Sequence, residues 1–389
     1  MTIDLRHYLN REQSFIKHSF LTRYLQGAAY KIFLGRTKVF NFVDAFAGPW
    51  ETNDKDNFSD ASFDQAINTL EAVRSDLAAR GVSGLRVRFC LCEKRPEAVA
   101  RLRQYAAQRK EFEIHVFEGK FEDNLDGIAA KLPDGFTFTF IDPTGWDIQN
   151  DLVFGFLKNR AANGGEFLLN FMADHINRHA EYPGVVASIG RFLADPLWEP
   201  DFKALPQALS NQDKVLTLLE RKMKARGVAK YLPNLAIMLP RQDRVKMRLV
   251  LGTFSAEGLE VFRDIQAKVE REEIEIRNNL RDGENPQISL FSTDDIAAMQ
   301  QDTLGVGCKT NCNRAAELIV DALRKSEPIA FKTLAVEILE SIPIRKTQLK
   351  TVVNEMKKAG RVTFDLPPRC KAPQEDTPIR LPANGSFGF

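Results

Sequence analysis

Between residues 39 and 172, short apolar runs rich in β-branched and aromatic residues alternate with segments of helical spacing, and no other feature constrains the fold as strongly. The runs are Val39–Val43 in KVFNFVD, VRFCLCE (87–93), FEIHVFEG (112–119), FTFTFID (136–142) and GEFLLNFM (165–172). Residues 62–80, PEAVARLRQYAAQ (96–108, proline in its first turn) and 149–161 carry the helical spacing between them. Strands separated by helices pair in parallel, and near-continuous apolar runs are covered on both faces. A parallel sheet between two helical layers is therefore expected. An amphipathic helix with Phe15, Phe20, Tyr24 and Ile32 on one face precedes the first strand.

The rhythm breaks after Met172. Residues 173–230 show helical patterns punctuated by Pro183, Pro196, Pro200 and Pro206, which suggests a helical insertion. LPNLAIMLP and VKMRLVLGTFS follow, split by the charged turn Arg241–Arg244, and read as an antiparallel hairpin at the sheet's edge. Seven strands result, five of them parallel. A long helix over 256–279 closes a first domain assigned to 1–280, and the polar stretch 281–312 reads as a linker. Beyond it, 313–325, 331–341 and 345–359 are expected helices, and Gly360–Phe364 begins a strand. Three helices and a β-wing predict a winged-helix-like domain over 313–366, with 367–389 a flexible tail.

Charge and cysteines narrow the setting. With 54 basic and 52 acidic side chains, net +2, the whole chain offers no polybasic field for nucleic acid or anionic lipid. Cys90, Cys92, Cys308, Cys312 and Cys370 are too few and too unevenly spaced for a disulfide framework, which fits a reducing compartment. No stretch approaches the roughly 20 apolar residues that cross a bilayer, and no secretory leader is evident. A cytoplasmic protein without membrane contact is expected.

Open parallel sheets bind ligands beyond the carboxyl ends of their strands, so the strand ends are the places to look for chemistry. After the first strand, Ala47 and Gly48 let the backbone approach a ligand, and Asp44 could hold its amine or an intervening water; an ordinary turn is the alternative. Glu93 ends the second strand, where a carboxylate can accept from both hydroxyls of a ribose, or else pair with Lys94 or Arg95. IDPTGW (141–146) ends the fourth. Asp142 can accept from a substrate amine, Pro143 fixes the turn and Trp146 offers a stacking face, the alternative being a helix cap with a core tryptophan.

The order of these elements resembles the class I methyltransferases. FAGP at 46–49, FIDP-x-G-W at 140–146 and the preceding helix KHSFLTRYL resemble, more narrowly, the three-Cys-motif partner proteins (TcmP), over about residues 10–255. The resemblance implies an α/β, doubly wound, mostly parallel seven-stranded Rossmann-like methyltransferase sheet. It implies S-adenosylmethionine as cofactor, with contacts expected at Asp44, Phe46, Ala47, Gly48, Glu93, Lys94, Glu118, Gly119 and Phe121. Catalysis is expected at Asp142, Pro143 and Trp146, and a separate protein with three closely spaced cysteines is the implied partner. Two departures stand out: Trp50 occupies the place of a second glycine, and Lys120 replaces the acid that often contacts adenine, leaving Glu118, Phe121 or Asp123 to serve.

Methyltransferases that act on base amines carry Asp or Asn, then two prolines and an aromatic at the fourth strand; here Thr144 replaces the second proline and Gly145 displaces the aromatic by one. The expected function is S-adenosylmethionine-dependent methyl transfer to a nucleic-acid amine. A binding protein that keeps the fold and recruits its partner without methyl transfer is the alternative.

No metal is expected. Cys308 and Cys312 open like a three-cysteine cluster, but position 315 is alanine, so free thiols are expected, and Cys90 and Cys92 read as one face of a buried strand. His175 and His179 share a helical face without an HExxH glutamate. In the C-terminal module Arg345, Lys346, Gln348 and Lys350 open the third helix, which in a winged helix enters the major groove, so DNA or RNA contact is expected there; a solvated face of a protein-binding module is the alternative.

Overall fold

A computed structural model describes residues 5–48, 52–54, 58–143, 145, 148–172, 183–284 and 305–382. Contacts divide the chain into two units, Met1–Ser255 and Ala256–Phe389.

The first unit begins with α1 (Glu12–Gly35) and β1 (Val39–Asp44), followed by α2 (Ser62–Ala79), β2 (Arg86–Glu93), α3 (Pro96–Gln108) and β3 (Glu113–Glu118). Then come α4 (Leu125–Lys131), β4 (Phe136–Ile141), α5 (Asn150–Ala161) and β5 (Glu166–Phe171). The helices α6 (Pro183–Leu193), α7 (Glu199–Ala204) and α8 (Asn211–Ala225) lead to β6 (Asn234–Met238) and β7 (Val245–Gly252). The sheet runs β3-β2-β1-β4-β5-β7-β6. β1 to β5 are parallel, and β7 inserts antiparallel to both β5 and β6. This is a Rossmann-like, mostly parallel seven-stranded sheet of the methyltransferase kind. Strand order reverses between β1 and β4, and this switch point is where a ligand crevice opens.

The apolar runs of β1, β4 and β5 are central because every residue in them is buried. On one face α1 docks through aromatic rings: Tyr24 lies 5.6 Å from Phe138, and Phe33 6.1 Å from Phe40. Tyr24 also donates to the buried Glu166 at the start of β5 (2.8 Å), which Thr253 Oγ1 bonds from the other side (2.5 Å). Burial pushes the Glu166 carboxyl above its ordinary range, the expected response of an acid removed from water. On the opposite face α5 packs with the insertion: Phe154, Phe171, Phe192, Val215 and Leu219 belong to one core. Among the described residues of 173–230 there is no strand. No described helix is long and apolar enough to cross a membrane.

The second unit contains α9 (Ala256–Glu284), α10 (Lys309–Lys325), β8 (Ile329–Ala330), α11 (Phe331–Ser341), α12 (Lys346–Lys358) and β9 (Pro378–Ile379). Its organisation departs from expectation in three places. The boundary expected after residue 280 falls inside α9, and the chain divides before that helix. The reason is Arg263, whose buried guanidinium donates to the carbonyls of Leu339 (2.6 Å) and Glu340 (2.9 Å) at the end of α11. The linker expected over 281–312 is structured at both ends: α9 runs to Glu284, Val306 N–H donates to Glu270 (2.7 Å), Gly307 N–H to Pro343 O (2.8 Å), and α10 starts at Lys309. Gly307 has φ +74° and packs so closely on Gln348 that a Cβ would lie 1.9 Å from Nε2. Residues 285–304 lie outside the described residues.

The third departure concerns the wing and the tail. Gly360–Phe364 contributes only an isolated bridge, Thr363 with Arg380, and the two-stranded sheet is made by β8 with β9. Part of the expected loose tail is therefore fixed, since buried Ile379 pairs with Ile329.

Candidate functional site

A cavity of about 690 Å³ opens at the carboxyl ends of β1, β4 and β5. Phe46 and Gly48 from the turn after β1, Asp142 and Pro143 after β4, and Asn170 and Met172 at the end of β5 line it. Arg11, which caps α1, and Ser14, Lys17 and His18 in its first two turns form a facing wall, because residues three and four apart share one face of a helix.

The turn after β1 is built by its own N–H groups. Ala45 N–H donates to Phe140 O (2.9 Å), Phe46 N–H to Asp44 Oδ1 (3.1 Å) and Ala47 N–H to Cys92 O (2.9 Å). Three consecutive donors are thus spent, two of them tying the end of β1 to β4 and β2 and the third closing the turn on Asp44. Asp44 is fully buried, and its second oxygen accepts from Ser62 Oγ at the start of α2 (2.7 Å). Burial pushes its carboxyl up to about 7, the nearby Asp142 charge adds to that, and the Ser62 and Phe46 hydrogen bonds oppose it.

Asp142 is held from two sides. Lys17 Nζ pairs with Oδ2, and Asn170 Nδ2 donates to Oδ1 at 2.6 Å. Asn170 also approaches Met172 Sδ (3.5 Å), while its own Oδ1 is buried without a partner among the described residues. Beside this group Arg11 pairs with the buried Asp60 (2.7 Å), which also accepts from Asn53 N–H (2.8 Å). His18 shares a hydrogen bond with Tyr8 (2.9 Å); burial, then the Lys17 and Arg11 charges, hold the imidazole well below its ordinary pKa, so it is neutral.

The sequence-predicted residues divide around this cavity. Phe46, Gly48, Asp142 and Pro143 line it, with Asp44 and Ala47 buried under the same turn. Trp146, Trp50, His175 and His179 lie outside the described residues. Glu93 is buried at the end of β2, where Oε1 accepts from Arg95 N–H (2.8 Å); Lys94 is exposed and Arg95 lines the cavity. Glu118 forms a surface ion pair with Arg103 (3.0 Å). Gly119, with φ +115°, donates its N–H to Glu93 O (2.9 Å). Phe121 is a core residue, edge-on to Phe156 (5.7 Å). The residues not anticipated are Lys17, Arg11, Asp60 and Asn170. Two had a signal: Lys17 interrupts the apolar face of α1, and Asn170 interrupts the apolar run EFLLNF.

In the C-terminal unit, the four residues expected to meet nucleic acid gather at the start of α12. Lys346 bridges Glu260 and Glu375, each at 2.7 Å. Gln348 Oε1 accepts from Arg345 N–H (3.0 Å) and so caps its own helix. Lys350 lies 5.8 Å from the Phe331 ring centroid. Cys308 is buried at the N-terminus of α10, and Cys312 donates to Gly307 O (3.4 Å). Burial pushes both Cys90 and Cys92 up to about 12, as for thiols packed inside a sheet. Among the described residues no group of three or more His, Cys, Asp or Glu is placed to hold a metal ion.

No family model matches the chain, and no curated protein does. Among solved structures it is similar to a protein from Legionella pneumophila, at 14% identity over 62% of this chain and 85% of that one, TM-score 0.35. It is similar to cofactor-bound Rv0187 from MTB, at 13% identity over 61% and 80%, TM-score 0.30. A loganic acid methyltransferase with SAH is 8% identical over 77% and 91%, TM-score 0.32. The chain's own strand order, β3-β2-β1-β4-β5-β7-β6, is that of the mostly parallel, seven-stranded methyltransferase sheet.

Proposed function

We propose that this chain is an S-adenosylmethionine-dependent methyltransferase of the three-Cys-motif partner type, acting on an amine of a nucleic acid. The observation that carries the reading is the turn after β1. A doubly wound sheet that binds dinucleotides offers free backbone N–H groups to a pyrophosphate at this point. Here Ala45, Phe46 and Ala47 have spent theirs, so the turn suits a ligand that donates hydrogen bonds or carries positive charge. S-adenosylmethionine has both an amine and a sulfonium, and supplies an electrophilic methyl group when bound. The cavity's volume lies within the range of small-molecule sites. Asp44, Phe46, Ala47 and Gly48 would hold the amino-acid end and Glu93 the ribose. Asp142 would orient the acceptor nitrogen, with Lys17 and Asn170 fixing the carboxylate.

A second reading has its own support. The carboxylates ending β1, β2 and β4 are all bonded to protein groups: Asp44 to Ser62, Glu93 to Arg95 N–H, and Asp142 to Lys17 and Asn170. That pattern also suits a fold that recruits a three-cysteine protein without methyl transfer. Nucleic-acid contact by the C-terminal unit, read as a winged helix, is likewise proposed, and Glu260 and Glu375 would compete with phosphate for Lys346. Calorimetry with S-adenosylmethionine and its demethylated product, followed by labelled methyl transfer to DNA and RNA, separates the readings. Absence of binding by either compound at millimolar concentration refutes the enzyme; binding without transfer favours recruitment.

A further inference from the structure

Asn170 is 1% exposed, lines the strand-end cavity and carries a buried carbonyl oxygen without a hydrogen-bond partner among the described residues. Its orientation is fixed by chemistry. Nδ2 donates to a carboxylate, Asp142, so a flipped amide would set two acceptors against each other. Oδ1 is therefore an acceptor, and a buried acceptor in a binding cavity calls for a donor. Asp142 also keeps acceptor capacity, because a carboxylate has about four lone-pair sites and Asn170 and Lys17 account for two.

Resting on the methyltransferase reading, we infer that Asn170 and Asp142 together form a receptor for a neutral –NH₂ group, the exocyclic amine of a nucleobase. The two acceptors match the two hydrogens of one amine. Lys17 sets the charge requirement: an ammonium already sits on Asp142, so a second cation such as a lysine side chain is repelled. A neutral amine is accepted, and it keeps the lone pair that methyl transfer consumes.

Nucleosides that exchange the exocyclic amine for a carbonyl, with the accompanying proton on the adjacent ring nitrogen, test the receptor. Calorimetry on the full chain with S-adenosylhomocysteine present would compare cytidine with uridine and adenosine with inosine. The amine-bearing member of each pair should bind roughly 10- to 100-fold more tightly, the discrimination expected of a paired hydrogen-bond contact. Asn170→Leu should reduce the preference to within about threefold while leaving S-adenosylhomocysteine binding unchanged, as contacts that read one group are lost with their acceptor. Asn170→Ala provides the same comparison should the leucine variant not fold, and the wild-type preference needs neither. Equal binding within both wild-type pairs overturns the inference, as does a preference that survives both substitutions. Tighter binding of a glutamine carboxamide peptide than of any nucleoside overturns it in favour of a protein acceptor. An amine preference without S-adenosylhomocysteine binding supports the receptor and refutes the methyltransferase reading.

Discussion

Asp44→Asn should stabilise the protein, and increasingly so as pH rises. Asparagine keeps the shape and both hydrogen bonds: its carbonyl can accept from Phe46 N–H, and its amide can donate to Ser62 Oγ. What it removes is the cost of ionising a carboxyl that is fully buried. Burial raises this group from 3.8 in the unfolded reference to about 7 in the fold. Between those values the folded chain holds a proton that the unfolded chain has released, so stability falls as pH rises through the window. It is highest below 3.8 and levels off above about 7. Three units at 1.36 kcal/mol each set an upper cost of roughly 4 kcal/mol, of which about 2 to 3 accrues between pH 5 and 8. Urea denaturation of wild type and variant at both pH values reads the difference, in which other titrating groups cancel. An advantage for the variant that is absent at pH 8, or the same at both pH values, would refute the assignment of the shift to buried Asp44.

Other perturbations test neighbouring statements. Glu93→Ala should cost about 1 kcal/mol of stability by freeing Arg95 N–H, and weaken S-adenosylmethionine binding by about 1.5 to 3 kcal/mol; thermal melting and calorimetry report the two effects separately. Asp142→Ala should lower methyl transfer at least roughly a hundredfold while cofactor binding persists, and full turnover would remove Asp142 from the acceptor site. Gly252→Ala should destabilise the sheet by about 1 to 3 kcal/mol, because its Cβ would lie 2.0 Å from the Phe167 ring; an unchanged melting temperature would contradict that packing. Lys346→Gln should cost under about 1 kcal/mol for a partly exposed pair, and a nucleic-acid affinity that is unchanged, with the same salt slope, would exclude Lys346 as a phosphate contact.

The sheet was legible because its strands are written in a form that burial imposes. VFNFVD, FTFTFI and EFLLNF have few polar residues, and all three lie in the centre. The domain boundary was not, for a helix such as α9 declares a buried face without naming what covers it, and Arg263 and its two carbonyls lie far apart in sequence. The strand-end acids were legible by position, whereas Asn170 showed only as a polar residue in an apolar strand and Lys17 as a polar residue on the apolar face of a helix. A polar residue so placed needs a partner, but spacing cannot say which. The same limit applies at α12: its positive charge is visible in the sequence, but Glu260 and Glu375, which neutralise Lys346, are brought to it only by folding.

The two sides of the switch point differ in how they hold charge, and the difference bears on what each can bind. At β4, Asp142 has a cation and an amide fixed on it, so its surroundings are already arranged for an anion and a ligand need only add donors. At β1, Asp44 has two neutral donors, and burial keeps it protonated up to about pH 7. A cationic ligand settling against the β1 turn would favour the ionised form, since an opposite charge within a few ångströms lowers a carboxyl's pKa. The free energy lost by burying Asp44 as an acid would then be regained on binding, as linkage requires. A neutral or anionic ligand regains none of it. The β1 end would therefore favour positive charge through its depth in the core, in the same turn whose N–H groups are spent and so would disfavour a phosphate.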